Sequence, residues 1–432
     1  MHKMHGGQLR SSLYCPINET YIYRMIKRPS LAVLIALTAV GPLALNIFMP
    51  SMPRIADELG VPYGTVQYAL TLYLVAIAVS QLFVGAISDR FGRRPVMLAG
   101  MVLFLVSTAI CAAAQNIETL ILGRMLQAIG GATGLVLGRA VVRDLYGREK
   151  SASMIGYVTM VMMIVPFLTP TIGGFLDQYY GWQASFIFAG VFGVAVLTYA
   201  WFALHETKFD RPQSLSLFHT FNGIGAIARH PAFWGYALFA GLLSGMFFSF
   251  LAGAPYIMIE LLDRPPSEYG LMFMFPAFGY MAGNFLTGRL SERLGADRMM
   301  MIGSMLMILG SLTMVGFATA GVFTPWAIFL PMVLVSLANG LSMPNALASA
   351  LSIRPDLAGA GSGMCGFLQM GIGASVAQVV GLLQTDSQWP MVGVMATSGF
   401  LAICCYLLGA AFRRRARIAV RAREAASMTV VD

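Results

Sequence analysis

The stretch GAISDRFGRRPVM, residues Gly85–Met97, places four charged side chains between two long apolar runs. A second stretch, GRLSERLGADRMM, residues Gly288–Met300, repeats it 203 residues later. Glycine, serine and arginine recur at corresponding places, and the acid is kept as Asp89 in the first copy and Glu292 in the second. Equivalent motifs at this distance indicate a chain that consists of two duplicated halves.

The composition excludes an ordinary soluble protein. The chain is 57% hydrophobic and only 11% charged, whereas soluble proteins carry about 25% charged residues. An apolar run of roughly 18 or more residues predicts a helix that crosses a bilayer. Twelve such runs, separated by short charged loops, cover residues 31–50, 65–87, 95–115, 119–138, 152–176, 183–204, 232–257, 269–287, 299–320, 325–350, 358–383 and 390–412. We therefore predict an all-α polytopic membrane protein with twelve transmembrane helices.

The basic residues are distributed unevenly between the two sides of these runs. If the amino terminus is cytoplasmic, 25 of the 28 Lys and Arg residues fall in cytoplasmic segments, only Arg54 and Arg264 lie outside, and Arg124 lies within a span. This bias follows the positive-inside rule. It predicts a multi-pass protein of the inner cell membrane with both termini in the cytoplasm. We expect the basic tail to contact anionic lipid and not nucleic acid.

The longest internal loop divides the runs into six and six. We predict a disordered cytoplasmic segment at residues 1–29, a six-helix half at 30–204, a linker at 205–231 with an amphipathic helix near Leu215–Ala228, a second six-helix half at 232–412 and a basic tail at 413–432. Pseudo-symmetric halves with a site between them are typical of secondary transporters.

The residue types of the repeated motif predict a gating loop in each half. Glycine permits a tight turn between antiparallel helices, and an acid can pair with the basic loop or with a helix amino terminus. A charge network of this kind could break and re-form as the halves move. The alternative is a basic turn that only sets topology. The residues concerned are Gly85, Asp89, Arg90, Gly92, Arg93 and Arg94 in the first copy and Gly288, Glu292, Arg293 and Gly295 in the second.

Residues 30–412 resemble the major facilitator superfamily. GAISDRFGRRPVML (Gly85–Leu98) is similar to its loop signature, and GRMLQAIGGATG (Gly123–Gly134) resembles the fourth span of its Bcr/CflA-type multidrug exporters. The first, fifth and seventh runs also resemble that branch, through Gly41–Gly60, Pro170–Phe186 and Phe250–Leu262. The resemblance implies a twelve-helix alternating-access fold in a monomer. It also implies export of small drugs driven by inward proton flow, with no cofactor.

Two positions depart from the pattern of that branch. Asn46 stands where the branch usually carries an Asp, and because an amide does not titrate, one expected proton carrier is missing. In the fifth run, Thr169 replaces the first Gly of the antiporter signature. The rest of the predicted helix kink remains, and it consists of Pro166, Pro170, Gly173 and Gly174.

Polar side chains within the runs are the candidates for the transport pathway. A buried ionisable group in a span is costly and is by default a functional hypothesis, and Arg124 is the clearest case. Gln127 lies on the same helix face. The family counterpart of Arg124 is thought to couple protons or to support the substrate site. Asn46, Asn345 and Gln369 are further candidates. The alternatives are a structural Arg paired with a carbonyl group, and amides that only join helices.

The leading prediction is a proton-coupled exporter of small amphiphilic drugs or toxic metabolites. An alternative is a carrier for one metabolite, by uptake or by uncoupled export, which Asn46 favours. An enzyme is not predicted, because the five histidines lie in the amino-terminal segment or in the linker and form no nucleophile–base pair. The five cysteines form no CxxC pair and no Cys/His cluster, so no metal site is predicted either.

Overall fold

The computed structural model describes residues 29–208, 217–354 and 357–428. The predicted disordered segment lies outside this part of the chain except for its last residue. So do the middle of the predicted linker and the final four residues of the tail.

The described residues form thirteen α-helices, numbered α1 to α13 in chain order. Their bounds are Leu31–Ile47, Met52–Leu59, Tyr63–Phe91, Arg93–Ala112, Ile117–Tyr180, Gln183–Ala203, Leu217–Ala228, Pro231–Tyr256, Pro266–Leu294, Ala296–Thr319, Pro325–Leu351, Ala358–Leu383 and Trp389–Met428. A 3-10 turn at Met49–Ser51 joins α1 to α2, and a π-helical turn at Ile257–Leu261 extends α8. The short helix α7 lies where the amphipathic linker helix is predicted.

Ten helical segments of the described chain are long and apolar enough to cross a membrane. The other two predicted runs correspond to the second part of α5 and to α9, and both pack in the same bundle. With 29 residues, α9 is long enough to cross, but Tyr280, Asn284 and Arg289 make it less apolar than its neighbours. The bundle therefore has the predicted all-α architecture.

Helix α5 corrects one detail of the sequence prediction. The fourth and fifth runs were expected as two helices joined by a loop, whereas helical structure continues through the connection. In a straight helix, Gly131 and Gly173 would be about 63 Å apart at 1.5 Å per residue. Yet Gly131 contacts Gly41 of α1, and Gly173 contacts Ile47 of the same helix. The element therefore turns back on itself and supplies two neighbouring members of the bundle.

Successive long helices run in opposite directions, which gives the bundle two distinct ends. The turns at Gly92 and Gly295 have φ of 100° and 82°, a left-handed region that favours glycine. We call the end that carries these turns the motif end. The opposite end, where α1 finishes and α3 begins, is the distal end.

Two equivalent helix pairs join the halves. A Cβ at Gly64 of α3 would lie 2.8 Å from the carbonyl oxygen of Gly381 on α12. Gly174, in the second part of α5, makes the same kind of close approach to Pro266 at the start of α9. Because α3 corresponds to α9 in the duplication, the second part of α5 corresponds to α12. The interface is therefore pseudo-symmetric, as expected of a duplicated transporter.

Large apolar side chains cover the outside of the bundle. Phe202 is 77% exposed, and other examples are Val191, Phe285, Leu312 and Phe400. Such a surface would aggregate in water, whereas a bilayer solvates it. The helical backbone satisfies its own hydrogen bonds, as this environment requires.

Candidate transport pathway

Glycines on α5 bring Arg124 against α1. Gly131, Gly134 and Gly138 all face α1, and a Cβ at Gly131 would lie 3.0 Å from the Cα of Gly41. This close approach lets Arg124 Nη1 donate a hydrogen bond to the carbonyl oxygen of Ala44 at 2.9 Å. Arg124 is fully buried.

Gln127 connects Arg124 to α4. Arg124 Nη1 donates to Gln127 Oε1 at 2.6 Å, and Gln127 Nε2 donates to Thr108 Oγ1 at 2.8 Å. Thr108 in turn donates to the carbonyl oxygen of Phe104 at 2.6 Å. The predicted pair of Arg124 and Gln127 thus forms one buried hydrogen-bond chain across α1, α5 and α4.

Aromatic rings surround the guanidinium group of Arg124. Its Cζ lies 4.1 Å from the ring centroid of Tyr73, 4.5 Å from that of Phe48 and 5.9 Å from that of Phe186. The electron-rich faces of such rings attract a cation. The described part of the chain brings no carboxylate within ion-pair distance of Arg124. Its Nε and Nη2 have no hydrogen-bond partner among the described residues. Two donors of this buried cation therefore remain available to an acceptor.

Asn46 lies two residues beyond the carbonyl group that Arg124 contacts. Its Nδ2 donates to the carbonyl oxygen of Pro42 one turn earlier, at 2.7 Å. Its Oδ1 is buried and accepts no hydrogen bond from the described residues. The structure thus places Asn46 on the helix beside Arg124, with one free acceptor.

The other two candidate amides lie elsewhere in the bundle. Asn345 on α11 accepts a hydrogen bond from Ser291 Oγ at 2.6 Å and donates to the carbonyl oxygen of Leu341 at 2.8 Å. It therefore joins α11 to the second copy of the repeated motif, far along the chain from Arg124. Gln369 is half-buried on α12.

Arg93 is the centre of the polar contacts in the first predicted gating loop. Its Nη2 lies 2.7 Å from Asp89 Oδ1, its Nε donates to Asp144 Oδ2 at 3.0 Å, and its Nη1 donates to Ser88 Oγ. Its backbone N–H, at the start of α4, donates to Glu206 Oε1 at 2.9 Å. The acid of the motif thus pairs with the basic loop, which is one of the two arrangements expected from the sequence.

The neighbouring arginines make different contacts. Arg94 Nη2 donates to the backbone carbonyl oxygen of Trp201 at 2.9 Å, and the Arg94 guanidinium lies over the indole ring of Trp201. Arg90 lies over the ring of Phe91 at 5.3 Å. The network of Arg93 also includes Asp144 and Glu206, which the sequence reasoning missed. Both are acids at the motif end, and their position beside a basic loop was the only signal for them.

The second copy of the motif makes different polar contacts. Glu292 and Arg293 are exposed, and Ser291 bonds to Asn345 where Ser88 bonds to an arginine. The sequence explains the difference, because Ala296 and Asp297 stand where the first copy has Arg93 and Arg94.

The predicted kink residues lie in the second part of α5. Helical structure continues past Pro166 and Pro170. Gly173 contacts the carbonyl oxygen of Ile47, and Gly174 contacts that of Pro266. These two glycines therefore permit close helix packing, a role that the sequence reasoning did not assign to them.

The halves are in direct contact at the distal end. The hydroxyl group of Tyr63 on α3 donates to the carbonyl oxygen of Ala252 on α8 at 2.7 Å. The ring of Tyr63 lies 4.9 Å from that of Tyr256. On the equivalent side, Thr171 Oγ1 donates to the carbonyl oxygen of Gly270 at 2.8 Å.

Three glycines near the motif ends of the interface helices α3, α9 and α12 have space beside them. A Cβ added at Gly85, Gly288 or Gly363 would meet no heavy atom of a neighbouring element within 4 Å. Farther along the same pair of helices, Gly366 of α12 lies against the side chain of Gln81 of α3.

Comparison with known proteins places the chain among transporters. The sequence model of the Major Facilitator Superfamily matches residues 34–378 and 252–428. Multidrug resistance protein D of Escherichia coli is 31% identical over 385 residues, 87% of this chain and 94% of that protein. The bicyclomycin resistance protein homolog of Haemophilus influenzae is 26% identical, over 86% of this chain and 93% of that protein. A chloramphenicol resistance protein of Pseudomonas aeruginosa is 29% identical, over 82% and 84%.

Solved structures share the fold. The xylose transporter XylE of E. coli superposes with a TM-score of 0.68 at 12% identity, over 86% of this chain and 95% of that one. A bacterial homolog of the human lysosomal transporter Spinster gives 0.62 at 17% identity, over 88% and 95%. The predicted fold class and the family resemblance are therefore confirmed.

Proposed function

The chain belongs to the major facilitator superfamily, a family of transporters rather than enzymes, and from this premise we propose that it exports small amphiphilic drugs or toxic metabolites by alternating access. Inward proton flow supplies the energy, and no cofactor is required. The proposal is supported by the relatives named for resistance to drugs, which match over nearly their whole length.

One structural observation carries the assignment of the pathway. Arg124 is a buried cation with two free donors, enclosed by aromatic rings. An aromatic enclosure accommodates apolar substrates of different shapes, and the free donors orient a substrate through an acceptor oxygen. Gln127 and Asn46 complete this site on the first half.

The closed distal end supports an inward-facing state. In this proposal the protein is a monomer in the inner membrane, and with the predicted topology its motif end faces the cytoplasm. The substrate enters the inward-facing state from the cytoplasm at this end. The two charged loops at this end then control closure, and because their contacts differ, the two loops are not equivalent.

We retain the domain boundaries inferred from the sequence. The halves comprise residues 30–204 and 232–412, joined by the linker at 205–231. The segment 1–29 and the tail 413–432 are both cytoplasmic in this proposal.

Drug accumulation in an efflux-deficient bacterial host tests the proposal. Expression of the chain should lower the accumulation of at least one compound in a panel of amphiphilic drugs, and a protonophore should abolish the effect. The variant Arg124→Ala should reach the membrane in normal amounts and lose the effect. Export that continues unchanged in the presence of the protonophore would refute proton coupling. Full activity of Arg124→Ala would show that transport does not require this residue.

The second candidate function is a carrier for one metabolite. Asn46 favours it, because this amide is bonded to Pro42 and cannot carry a proton. In the same assay a metabolite carrier would leave the accumulation of every drug unchanged.

A further inference from the structure

Asp177, in the last turn of α5 at the distal end, is a carboxylate in an unusual position. It is the only acidic residue in the described part of the chain with a wholly buried side chain. Its Oδ2 lies 3.6 Å from Arg54 Nε, and neither carboxylate oxygen has a hydrogen-bond partner among the described residues. A buried carboxylate usually accepts several hydrogen bonds, since burial otherwise disfavours its charge.

Helix α2 covers Asp177. This short helix supplies Arg54, and it is held against the turn between α5 and α6 by a hydrogen bond from Trp182 Nε1 to Glu58 Oε2 at 2.7 Å. The Arg54 side chain is 38% exposed, whereas that of Asp177 is wholly buried, so water contacts this ion pair only at Arg54.

The charged groups that act on Asp177 lie on α2, where they are Arg54 and Glu58, and the uncharged Ser51 of the preceding turn lies beside it. At the start of α9, which contacts Gly174 one turn away, Glu268 pairs with Arg264 at 3.9 Å. The α1 residues that pack on this part of α5 are apolar, and Gln183 of α6, near Gly181, is uncharged. Arg54 is therefore the cation that opposes protonation of Asp177.

Asp177 lies one turn from the contact between the halves. Gly174 touches Pro266 and Ser267 of α9. The turn Met49–Ser51 and α2, which cover Asp177, also contact α8 of the second half. Separation of the halves at the distal end would therefore remove the second-half helices that pack against the cover of this carboxylate, and it would open a route for water to the carboxylate.

We propose that Asp177 is a proton-binding positioning residue, through which protons on the distal side favour closure of the distal end. The proton passes from water to the carboxylate, and no other bond changes. The inference rests on the alternating-access part of the proposed function. It supplies a proton-binding group that Asn46 does not.

The direction of the effect follows from burial. Asp177 comes directly after the predicted fifth span, which ends at residue 176. Burial raises the pKa of Asp177 to about 6, against its ordinary value of 3.8, although Arg54 lowers it. In the open state, water restores an ordinary pKa of about 4. The closed state therefore binds the proton more tightly, so that closure is favoured below about pH 4 and this advantage is lost as the pH rises through about 6. Two pKa units correspond to at most a roughly 100-fold change in the ratio of closed to open protein.

Distances between spin labels across the distal end test this inference without any substrate. Glu118 at the start of α5 and Asp386 before α13 are exposed positions on different halves. Each is changed to Cys and spin-labelled in a chain whose five native cysteines are replaced by Ser, and the protein is placed in lipid nanodiscs. In this labelled parent protein, which keeps Asp177 and Arg54, the closed population with the short distance between labels should grow as the pH falls from 7.5 to 4.5.

Three variants separate the proposed role from a merely structural one. Asp177→Asn, which is always neutral, should remain mainly closed at both pH values. Arg54→Gln should move the transition to higher pH, because the opposing cation is gone. Asp57→Asn removes an exposed carboxylate from the same helix and should behave as the parent protein. A pH response that persists in Asp177→Asn, or an unchanged midpoint in Arg54→Gln, would overturn the inference. Since no drug is present, failure of the efflux assay would not produce either result.

Discussion

The variant Tyr63→Phe isolates one contact that closes the distal end. The Tyr63 hydroxyl is buried and donates to the carbonyl oxygen of Ala252 at 2.7 Å, across the two halves. Phenylalanine keeps the ring and its contact with Tyr256 at 4.9 Å, so that only the hydroxyl group is lost. The Ala252 carbonyl lies within α8, where helical hydrogen bonding is available to it. The cost of the change should therefore be that of one ordinary hydrogen bond.

Such a bond contributes about 1 kcal/mol, which corresponds to roughly a five-fold change in an equilibrium constant. The ratio of closed to open protein should fall by this factor, measured at constant pH with the spin labels at positions 118 and 386. Tyr68→Phe is the matched control, because Tyr68 lies on the same helix but is 39% exposed. An unchanged ratio in Tyr63→Phe, or an equal fall in both variants, would refute the reasoning that this hydroxyl holds the halves together.

Two further predictions concern the loop and the packing. Arg93→Ala should lower the free energy of unfolding of the detergent-solubilised protein, measured by thermal denaturation, because it leaves Asp144 without this partner. The expected loss is about 2 kcal/mol, a value that allows for the weak contribution of the exposed Asp89. Arg90→Ala should have little effect, and equal losses in the two variants would argue against a network centred on Arg93. Gly134→Ala should cost about 1–3 kcal/mol in the same measurement, since its Cβ would overlap the carbonyl group of Leu37. Gly316→Ala, where a Cβ meets nothing within 4 Å, should cause no loss, and a tolerated Gly134→Ala would contradict the close packing of α1 on α5.

The sequence was informative about the bundle because lipid imposes simple rules. Backbone polar groups must be satisfied within each crossing segment, so that long apolar runs predict helices, and the repeated motif located the two halves. The same rules do not predict the backbone conformation of the connection between the fourth and fifth runs. Charged residues there indicate that the chain leaves the apolar region, but they do not decide whether its backbone remains helical, as it does in α5.

The candidate site was predictable only in part. Arg124 and Gln127 are three residues apart on one helix, so that their contact follows from helical geometry. Asn345 could not be placed in this way. Its contact with Ser291 joins residues 54 positions apart and depends on how α9 and α11 are rotated against each other.

The sequence by itself determined that the protein is a duplicated bundle of membrane helices. It also determined which helix ends lie on the same side of the membrane, and that one cation, Arg124, lies among apolar residues. These features depend on transfer free energies and on local periodicity, which act residue by residue. Only the tertiary structure decided that aromatic rings and carbonyl oxygens surround Arg124, with no carboxylate of the described residues within ion-pair distance. It also decided that Asp144 and Glu206 complete the network of Arg93, and that Asp177 is buried beneath α2. These contacts join residues far apart in the chain, and they arise from the close approach of helices at glycines, which no local pattern specifies.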